Sequence, residues 1–246
     1  MSVTATVSDG IARLVIDNPP LNILTRAELA ALRTELARLA DLPDLRVLLL
    51  TARGKHFSAG ADVAEHIPPH HLTLIPDFLA TVAALDAFPV PVIAAVRGKC
   101  LGGGFELIQP ADIIIAAEHA AFGQPEILLG VFPPAAVVLL PERLPPGVVA
   151  ETIYSGDPLP AGEAERRGFV TRLVPDEALE RVADEVARRI ARHSAAALRS
   201  AKHALHPPVP RDAALRRAGE IYLHELMETR DAVEGLQAFV EKRPAA

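Results

Sequence analysis

The sequence predicts an α/β fold in which helices pack on a largely parallel sheet. Short apolar runs of strand type at 46–51, 92–96 and 112–116 alternate with helical segments at 26–41 and 75–88. Strands that are separated by helices are usually joined by right-handed crossovers, which make them parallel. With 246 residues and 50% hydrophobic composition, the chain is long enough to bury a large core.

The N-terminus predicts a β-hairpin, with strands at 3–7 and 11–16 joined by Asp9-Gly10, a pair that tolerates positive φ. It lacks a basic stretch followed by an apolar stretch, the pattern of a secretion signal. The longest apolar runs, at 88–96 and 135–140, are far shorter than the roughly 20 residues that cross a bilayer. We expect a soluble, cytoplasmic protein.

Helix signals divide the chain into two regions. Thr25 and Glu28 have the spacing of a capping box, and leucines recur behind them at helical spacing over 26–41. From residue 176 onward the pattern is helical without strands, and prolines 207, 208 and 210 interrupt it. We therefore expect an α/β core at 1–175 that holds the functional site and a helical C-terminal region at 176–246. The helices predicted in that region are 176–204, 210–227 and 230–242.

Charge and cysteine content disfavour several classes of function. The net charge is -6, with 25 basic and 31 acidic residues mixed along the chain, so a nucleic-acid partner is not expected. Cys100 is the single cysteine, which suits a reducing compartment and leaves no zinc-binding spacing. We expect neither a metal nor a resident cofactor.

A glycine turn, Gly102-Gly103-Gly104, follows the strand at 92–96 and opens a helical segment that contains Glu106. Bare backbone N–H groups at such a turn can bind developing negative charge, and glycine lets a ligand approach closely. A phosphate loop would need Gly-Lys-Ser/Thr after the turn, whereas a glutamate there would repel phosphate. Close packing of helix on sheet is the alternative explanation for the glycines.

A second carboxylate, Glu126, lies between Pro125 and an apolar run. A buried glutamate is either paired with a cation or placed for proton transfer, and alone it is best explained as structural. Glu106 and Glu126 lie 20 positions apart on consecutive crossovers. They could therefore converge at one edge of the sheet, where ligand sites of α/β folds lie.

A third segment, residues 57–63, follows the strand at 46–51 and is rich in small residues. One of its backbone N–H groups could face one from the glycine turn and complete a two-donor oxyanion hole. Ser58 lacks the G-x-S-x-G elbow and a supporting His/Asp pair, so serine catalysis is disfavoured.

With these segments in order, the sequence resembles the crotonase superfamily, the enoyl-CoA hydratase/isomerase fold. The resemblance rests on four motifs in register that together span nearly the whole chain: 18–24, 57–63, 98–112 and 228–243. It implies a core of repeated ββα units wound as a spiral, followed by a helical C-terminal appendage.

The resemblance also implies roles for particular residues. The N–H groups of Ala61 and Gly103 would hold a thioester oxygen, and Glu106 and Glu126 would be catalytic. Members of the superfamily are usually trimers or dimers of trimers, with an acyl-CoA as substrate. Residues that would contact the CoA ester are Leu21, Ala59 and Asp62 in the same subunit and Phe239 and Lys242 from an adjacent one.

Both glutamates match the positions that hydratases use, so the resemblance implies addition of water to an enoyl-CoA. The alternative is a double-bond isomerase, which commonly keeps only the second glutamate. Pro133-Pro134 replaces glycines that are common after that glutamate, a variant similar to hydratases of cyclic dienoyl-CoA esters. The sequence does not assign the acid and the base within the pair.

Two further interpretations remain at this point. A non-catalytic, RNA-binding member would carry a basic helix face, whereas the arginines of the helix at 26–41 are offset by acidic residues. His66, His70 and His71 form a cluster that is best explained as a solvated loop; shaping the acyl pocket and, less favoured, metal binding are the alternatives.

Overall fold

Strands and helices alternate along the chain in a computed structural model, which describes residues 2–206 and 211–245. The strands are β1 (Val3–Ser8), β2 (Ile11–Ile16), β3 (Val47–Ala52), β4 (Val92–Val96), β5 (Lys99–Leu101), β6 (Ile113–Ala117), β7 (Ala121–Gly123), β8 (Leu159–Pro160) and β9 (Arg172–Val174). The α-helices are α1 (Arg26–Ala40), α2 (His71–Asp86), α3 (Gly103–Ile108), α4 (Ala136–Leu139), α5 (Pro146–Ser155), α6 (Ala161–Arg166), α7 (Leu179–Ala191), α8 (Ala195–Leu205), α9 (Arg211–Ile221) and α10 (Arg230–Val240). Short 3-10 helices span Val63–His66, Pro125–Leu129, Leu140–Glu142 and Asp176–Ala178, and a π-helical turn spans Tyr222–Leu226.

Two sheets are built from these strands within the described residues. The larger sheet has the order β1-β2-β3-β4-β6-β9, and every pair in it is parallel except the β1-β2 hairpin. The smaller sheet has the order β5-β7-β8. Consecutive units β4-β5 and β6-β7 each give one strand to each sheet before a helical turn follows. This is the repeated ββα spiral, and the α/β fold class is confirmed.

The hairpin and the first helix follow the local sequence signals. Asp9 and Gly10 have φ angles of 53° and 77°, the positive values that the turn requires. Thr25 and Glu28 form the capping box at the start of α1, with each residue's side chain bonded to the other's backbone N–H.

Helix boundaries were predicted less well in the C-terminal region. The single helix expected at 176–204 is wrong, because α7 ends at Ala191 and Ser194 caps a separate α8 by accepting a hydrogen bond from Ala197 N. The proline break at 207–210 lies outside the described residues. Upstream, α2 starts at His71, four residues before the predicted position 75. Pro76 lies within its second turn.

Helices cover both faces of the larger sheet. On one face, side chains of α1 and α2 join the main apolar cluster. On the other face, Ala183, Val186 and Ala187 of α7 pack against Val47 and Ile93. A fully buried Val, Leu or Ile stabilises the fold by about 1.5–3 kcal/mol, so this C-terminal helix contributes directly to the sheet's core. The ends of β3 and β4 are thereby held at one edge, where their loops meet.

Candidate active site

The loop after β3 and the glycine turn after β4 are held together by backbone contacts. Leu101 N donates to Ser58 O at 3.0 Å. A Cβ on Gly104 would lie 2.6 Å from Ser58 Cβ and 2.9 Å from Ser58 O, so only glycine allows this approach. The alternative explanation of the glycines as a packing device therefore holds for Gly104.

Ala61 and Gly103 bring two backbone N–H groups to the same place. A Cβ built on Gly103 would lie 3.2 Å from Ala61 N, and both residues line one cavity. Neither N–H has a hydrogen-bond acceptor within the described part of the chain. Two such donors side by side can bind one oxygen, which is the geometry that an oxyanion hole requires. Their assignment to a thioester oxygen stays a prediction.

Ser58 has a structural role in this loop. It is fully buried, its hydroxyl donates to Asn22 O at 2.7 Å, and its oxygen accepts a hydrogen bond from Gly60 N at 3.1 Å. Both bonds fix the backbone that presents Ala61. The hydroxyl is thus occupied by the loop, in agreement with the prediction that it is not a nucleophile.

Glu106 is held in α3 by two backbone donors from the segment after Pro133-Pro134. The residue is 2% exposed, and its Oε1 accepts hydrogen bonds from Ala135 N at 2.7 Å and Ala136 N at 3.0 Å. Burial raises the pKa of Glu106 to about 7, against the lowering effect of those two hydrogen bonds. The segment that follows Pro133-Pro134 therefore fixes the position of the Glu106 carboxylate.

Glu126 lies opposite, in the 3-10 helix Pro125–Leu129. Gly102 has φ 51°, and a Cβ on it would lie 2.8 Å from Glu126 Oε1, so the glycine turn packs directly against this carboxyl. Burial of the carboxyl, followed by the charge of Glu106, raises the pKa of Glu126 well above its usual range. Two carboxyls that interact in this way favour a shared proton over two charges.

The side-chain amides of Gln109 and Gln124 form a buried hydrogen-bonded chain that ends at the Glu126 carboxyl. Gln124 is fully buried and Gln109 is 1% exposed. In the orientation that satisfies the Gln124 amide, its NH2 donates to both Glu126 oxygens, at 3.1 and 3.2 Å, and its oxygen accepts from Gln109 Nε2 at 3.1 Å. Gln124 therefore fixes the direction of the carboxyl and is a positioning residue.

We expect Gln124→Leu to lower kcat by about tenfold, or about 1.4 kcal/mol, the upper end of the contribution of one neutral hydrogen bond. Because the lost N–H donor favours the ionised carboxylate, the pKa of Glu126 should rise and the alkaline limb of the pH–rate profile should move to higher pH. Steady-state kinetics across pH measure both effects. An unchanged alkaline limb with a raised KM would assign Gln124 to cavity shape instead.

The cavity between these groups is small and mainly apolar. Its volume is about 80 Å³. In addition to the loop residues and both glutamates, its lining includes Leu74, Phe78, Phe132, Pro134, Leu236, His66 and Tyr222. The sequence analysis missed Tyr222, because one tyrosine in a C-terminal helical segment carries no signal of its tertiary position.

His66, His70 and His71 do not form the solvated loop that was favoured from sequence. His66 lines the cavity, its Nδ1 is 2.8 Å from Asp62 O, and desolvation lowers its pKa. His71 is buried in the first turn of α2, whereas His70 is exposed. His66 thus shapes the pocket, the second of the three interpretations. Within 2–206 and 211–245, no group of three or more His, Cys, Asp or Glu side chains could hold a metal ion.

Of the residues predicted to contact CoA, Ala59 lines the cavity, whereas Leu21, Asp62, Phe239 and Lys242 are not part of its lining. Ala59 N donates to Leu21 O at 2.9 Å. The Asp62 side chain accepts from Ala64 N at 2.9 Å and caps the 3-10 helix after the loop. Phe239 is 55% exposed near the end of α10 and Lys242 follows that helix. Neither of these two lines the described cavity, and their roles stay predictions.

Helix α10 packs against the site formed by the same chain. It contacts the 3-10 helices Val63–His66 and Pro125–Leu129, and a Cβ on Gly235 would lie 2.2 Å from Leu129 O. Leu236 consequently lines the cavity.

No helix among the described residues is long and apolar enough to span a membrane.

A two-sheet ββα spiral with a two-glutamate cavity beside paired N–H groups defines a class of acyl-CoA enzymes. A model of the enoyl-CoA hydratase/isomerase family matches residues 6–246, and the chain belongs to that family. The fold agrees: an enoyl-CoA hydratase/isomerase from Pseudoalteromonas atlantica T6c superimposes with a TM-score of 0.91 at 28% identity, covering 100% of this chain and 99% of the other.

Among its relatives, the chain is 42% identical over 239 residues to cyclohexa-1,5-dienecarbonyl-CoA hydratase of Thauera aromatica, covering 96% of this chain and 92% of that protein. It is 37% identical over 229 residues to the probable enoyl-CoA hydratase echA8 of Mycobacterium bovis, covering 91% and 88%. The predicted hydro-lyase class is confirmed by these similarities.

Proposed function

We propose that this protein hydrates an α,β-unsaturated acyl-CoA thioester. The observation that carries the proposal is the pair Glu106 and Glu126, which share one small cavity beside the N–H groups of Ala61 and Gly103, two donors without an acceptor among the described residues. Hydration needs a base for water, an acid for the α-carbon and a stabiliser for the enolate oxygen. The four groups supply these functions. No metal or resident cofactor takes part in the proposed reaction.

The thioester carbonyl oxygen binds between Ala61 N–H and Gly103 N–H. These donors lie where the carbonyl gains negative charge as water attacks the β-carbon, so they stabilise the enolate-like transition state more than the substrate. The acyl group then lies between the two carboxyls. Closure of the cavity by apolar side chains such as Phe78 and Leu236 strengthens these polar interactions, because it excludes water.

Glu106 is assigned as the base and Glu126 as the acid. Two backbone N–H donors stabilise the ionised form of Glu106, whereas burial and the Glu106 charge favour the protonated form of Glu126, whose pKa is raised well above the usual value. Glu106 takes a proton from water as the oxygen bonds to the β-carbon, and Glu126 delivers its proton to the α-carbon. This distribution follows from the two backbone donors, which lower the pKa of Glu106 against the effect of burial, whereas the Glu106 charge adds to burial in raising the pKa of Glu126.

We expect a bell-shaped pH dependence of kcat/KM. Activity should rise as pH increases through about 7, because Glu106, with its pKa raised to about 7, must lose its proton. It should fall at higher pH as Glu126, whose pKa is raised well above its usual range by burial and by the Glu106 charge, loses the proton that it donates. Initial rates between pH 5 and 10 measure both limbs. A flat profile between pH 6 and 8 would contradict the assignment of Glu106 as base.

We propose a compact, cyclic dienoyl-CoA as the substrate. The relative from Thauera aromatica is a cyclohexa-1,5-dienecarbonyl-CoA hydratase at 42% identity. The cavity, at about 80 Å³ and walled by Phe132, Pro134 and Tyr222, favours a short or compact acyl group over a long chain. Turnover of cyclohexa-1,5-dienecarbonyl-CoA, crotonyl-CoA and a long-chain enoyl-CoA should be compared at equal concentration. The highest kcat/KM on the long chain would contradict this choice.

We further propose a cytoplasmic homotrimer or dimer of trimers that involves residues 176–246. The outward position of Phe239, 55% exposed near the end of α10, supports a role for it and for Lys242 at a neighbouring subunit's CoA. The core at 1–175 would then hold the cavity with help from Tyr222 and Leu236 of its own C-terminal region.

A further inference from the structure

Tyr222 is a buried polar residue of the cavity wall that the proposed mechanism leaves unused. The residue is 1% exposed, and its hydroxyl has no hydrogen-bond partner among residues 2–206 and 211–245. Its ring packs edge-on against Phe132, with centroids 5.6 Å apart, and lies 6.3 Å from the His66 ring. It begins the π-helical turn Tyr222–Leu226, a distortion that occurs frequently at functional sites.

The carboxyls of the site affect the pKa of the Tyr222 phenol. Burial raises the pKa of Tyr222, and the charges of Glu126 and Glu106 raise it further. Tyr222, Glu106 and Glu126 line the same cavity, so the phenol shares this space with both carboxyls. The hydroxyl therefore stays protonated and remains a hydrogen-bond donor throughout the working pH range.

The chemistry of the acyl group decides what this donor can bind. If the wall only had to be apolar, phenylalanine would fill the same space. A buried hydroxyl without a partner lowers the stability of the fold, so its presence calls for a ligand that it can bind. The acyl chain of an enoyl-CoA is hydrocarbon beyond the thioester and offers no acceptor. Hydration adds one oxygen at the β-carbon, between Glu106 and Glu126. That oxygen is the acceptor which the reaction itself brings to the phenol.

We propose that the Tyr222 hydroxyl donates a hydrogen bond to the oxygen added at the β-carbon, and so recognises the hydroxyacyl-CoA form of the ligand. This inference rests on the proposed hydratase function. Tyr222 is a specificity-determining residue that distinguishes hydroxylated from unhydroxylated acyl groups. The hydrogen bond from Tyr222 also strengthens as the new C–O bond forms, since the attacking oxygen is then fixed in position.

The test compares two inhibitors that differ only by that hydroxyl. Inhibition constants of 3-hydroxybutyryl-CoA and butyryl-CoA are measured in initial-rate hydration of the best substrate of the panel, with wild type and Tyr222→Phe. The variant should bind 3-hydroxybutyryl-CoA about fivefold more weakly, the fold-change of one neutral hydrogen bond of about 1 kcal/mol. Its constant for butyryl-CoA should stay within about twofold of wild type. Equal changes for both inhibitors, or no change for either, would overturn the proposal.

Tyr154→Phe is the matched control, because Tyr154 is the other tyrosine of the sequence and is 76% exposed. It should leave both constants unchanged. The thermal unfolding midpoint of Tyr222→Phe should equal or exceed that of wild type, since an unpaired buried hydroxyl is removed. A clear drop would assign the hydroxyl to structure and overturn the proposal.

Failure of the hydratase function gives a different result. A wild-type protein that hydrates no ester would refute that function, while titration calorimetry with the same ester pair would still measure the selectivity of Tyr222. Selectivity for the hydroxylated ester that is lost in Tyr222→Phe supports the inference there also, and its absence overturns it.

Discussion

Glu106→Gln and Glu126→Gln should each lower kcat for hydration by about 10²- to 10⁴-fold, the usual contribution of a positioned acid or base. Glutamine preserves the shape of each side chain, and its oxygen at position 106 can still accept the hydrogen bonds from Ala135 N and Ala136 N. The loss therefore reports proton transfer. Steady-state kinetics on the best substrate of the panel measure it.

The two variants also separate hydration from isomerisation. An isomerase would retain activity after Glu106→Gln and lose it after Glu126→Gln, whereas a hydratase needs both carboxyls. Thermal unfolding is the control for folding, and each variant should be at least as stable as wild type near pH 7, because a buried carboxyl with a raised pKa is replaced by a neutral amide. Unchanged turnover in both variants would contradict the mechanism.

Gly103→Ala should be about as damaging, although it keeps the backbone N–H, because the new methyl group obstructs the oxyanion hole. We expect kcat to fall by about 10²- to 10³-fold, as when one oxyanion interaction of about 2.7–4 kcal/mol is lost. The new Cβ would lie 3.0 Å from a Phe78 ring carbon and 3.2 Å from Ala61 N, in the space where the thioester oxygen binds. Gly103 has no positive φ, so alanine introduces no backbone strain there. Single-turnover hydration measures the chemical step.

Gly147→Ala is the matched control, because a Cβ on Gly147 meets nothing within 4 Å and its φ is not positive. It should leave kcat and KM unchanged. If Gly103→Ala raised KM alone, the glycine turn would bind ground state and transition state equally, and the assignment of an oxyanion hole would be wrong.

The parts of the site that sequence predicted are those with a local signature. Gly102, Gly103 and Glu106 lie in one short segment directly after a strand, and parallel strands bring their following loops to one edge. The loop with Ala61 follows a neighbouring strand, so its approach to the glycine turn is a consequence of topology. Residue type and position along the chain were sufficient for these elements.

Other parts depend on tertiary structure alone. Ala135 and Ala136 hold Glu106 through backbone N–H groups, which any residue except proline could supply, so the sequence carries no mark of them. Gln109 and Gln124 lie 15 positions apart and pair only because their segments are packed together. Tyr222 reaches the cavity from the far C-terminal region.

Some predicted boundaries of helices and strands were wrong for a related reason. The break between α7 and α8 contains neither proline nor glycine, so helical periodicity runs through it. The strands of the smaller sheet are two or three residues long, too short for alternation to show. The central strands β3, β4 and β6 of the larger sheet were nevertheless predictable, because they are mainly continuous apolar runs.

Isotope incorporation tests the central claim most directly. Wild-type protein is incubated with the best enoyl-CoA of the panel in ¹⁸O-labelled water and, separately, in D2O, and the acyl-CoA product is analysed by mass spectrometry and NMR. The proposed mechanism predicts one ¹⁸O atom in a hydroxyl on the β-carbon and one deuterium on the carbon that Glu126 protonates. An isomeric enoyl-CoA without ¹⁸O, or release of free CoA, would contradict it.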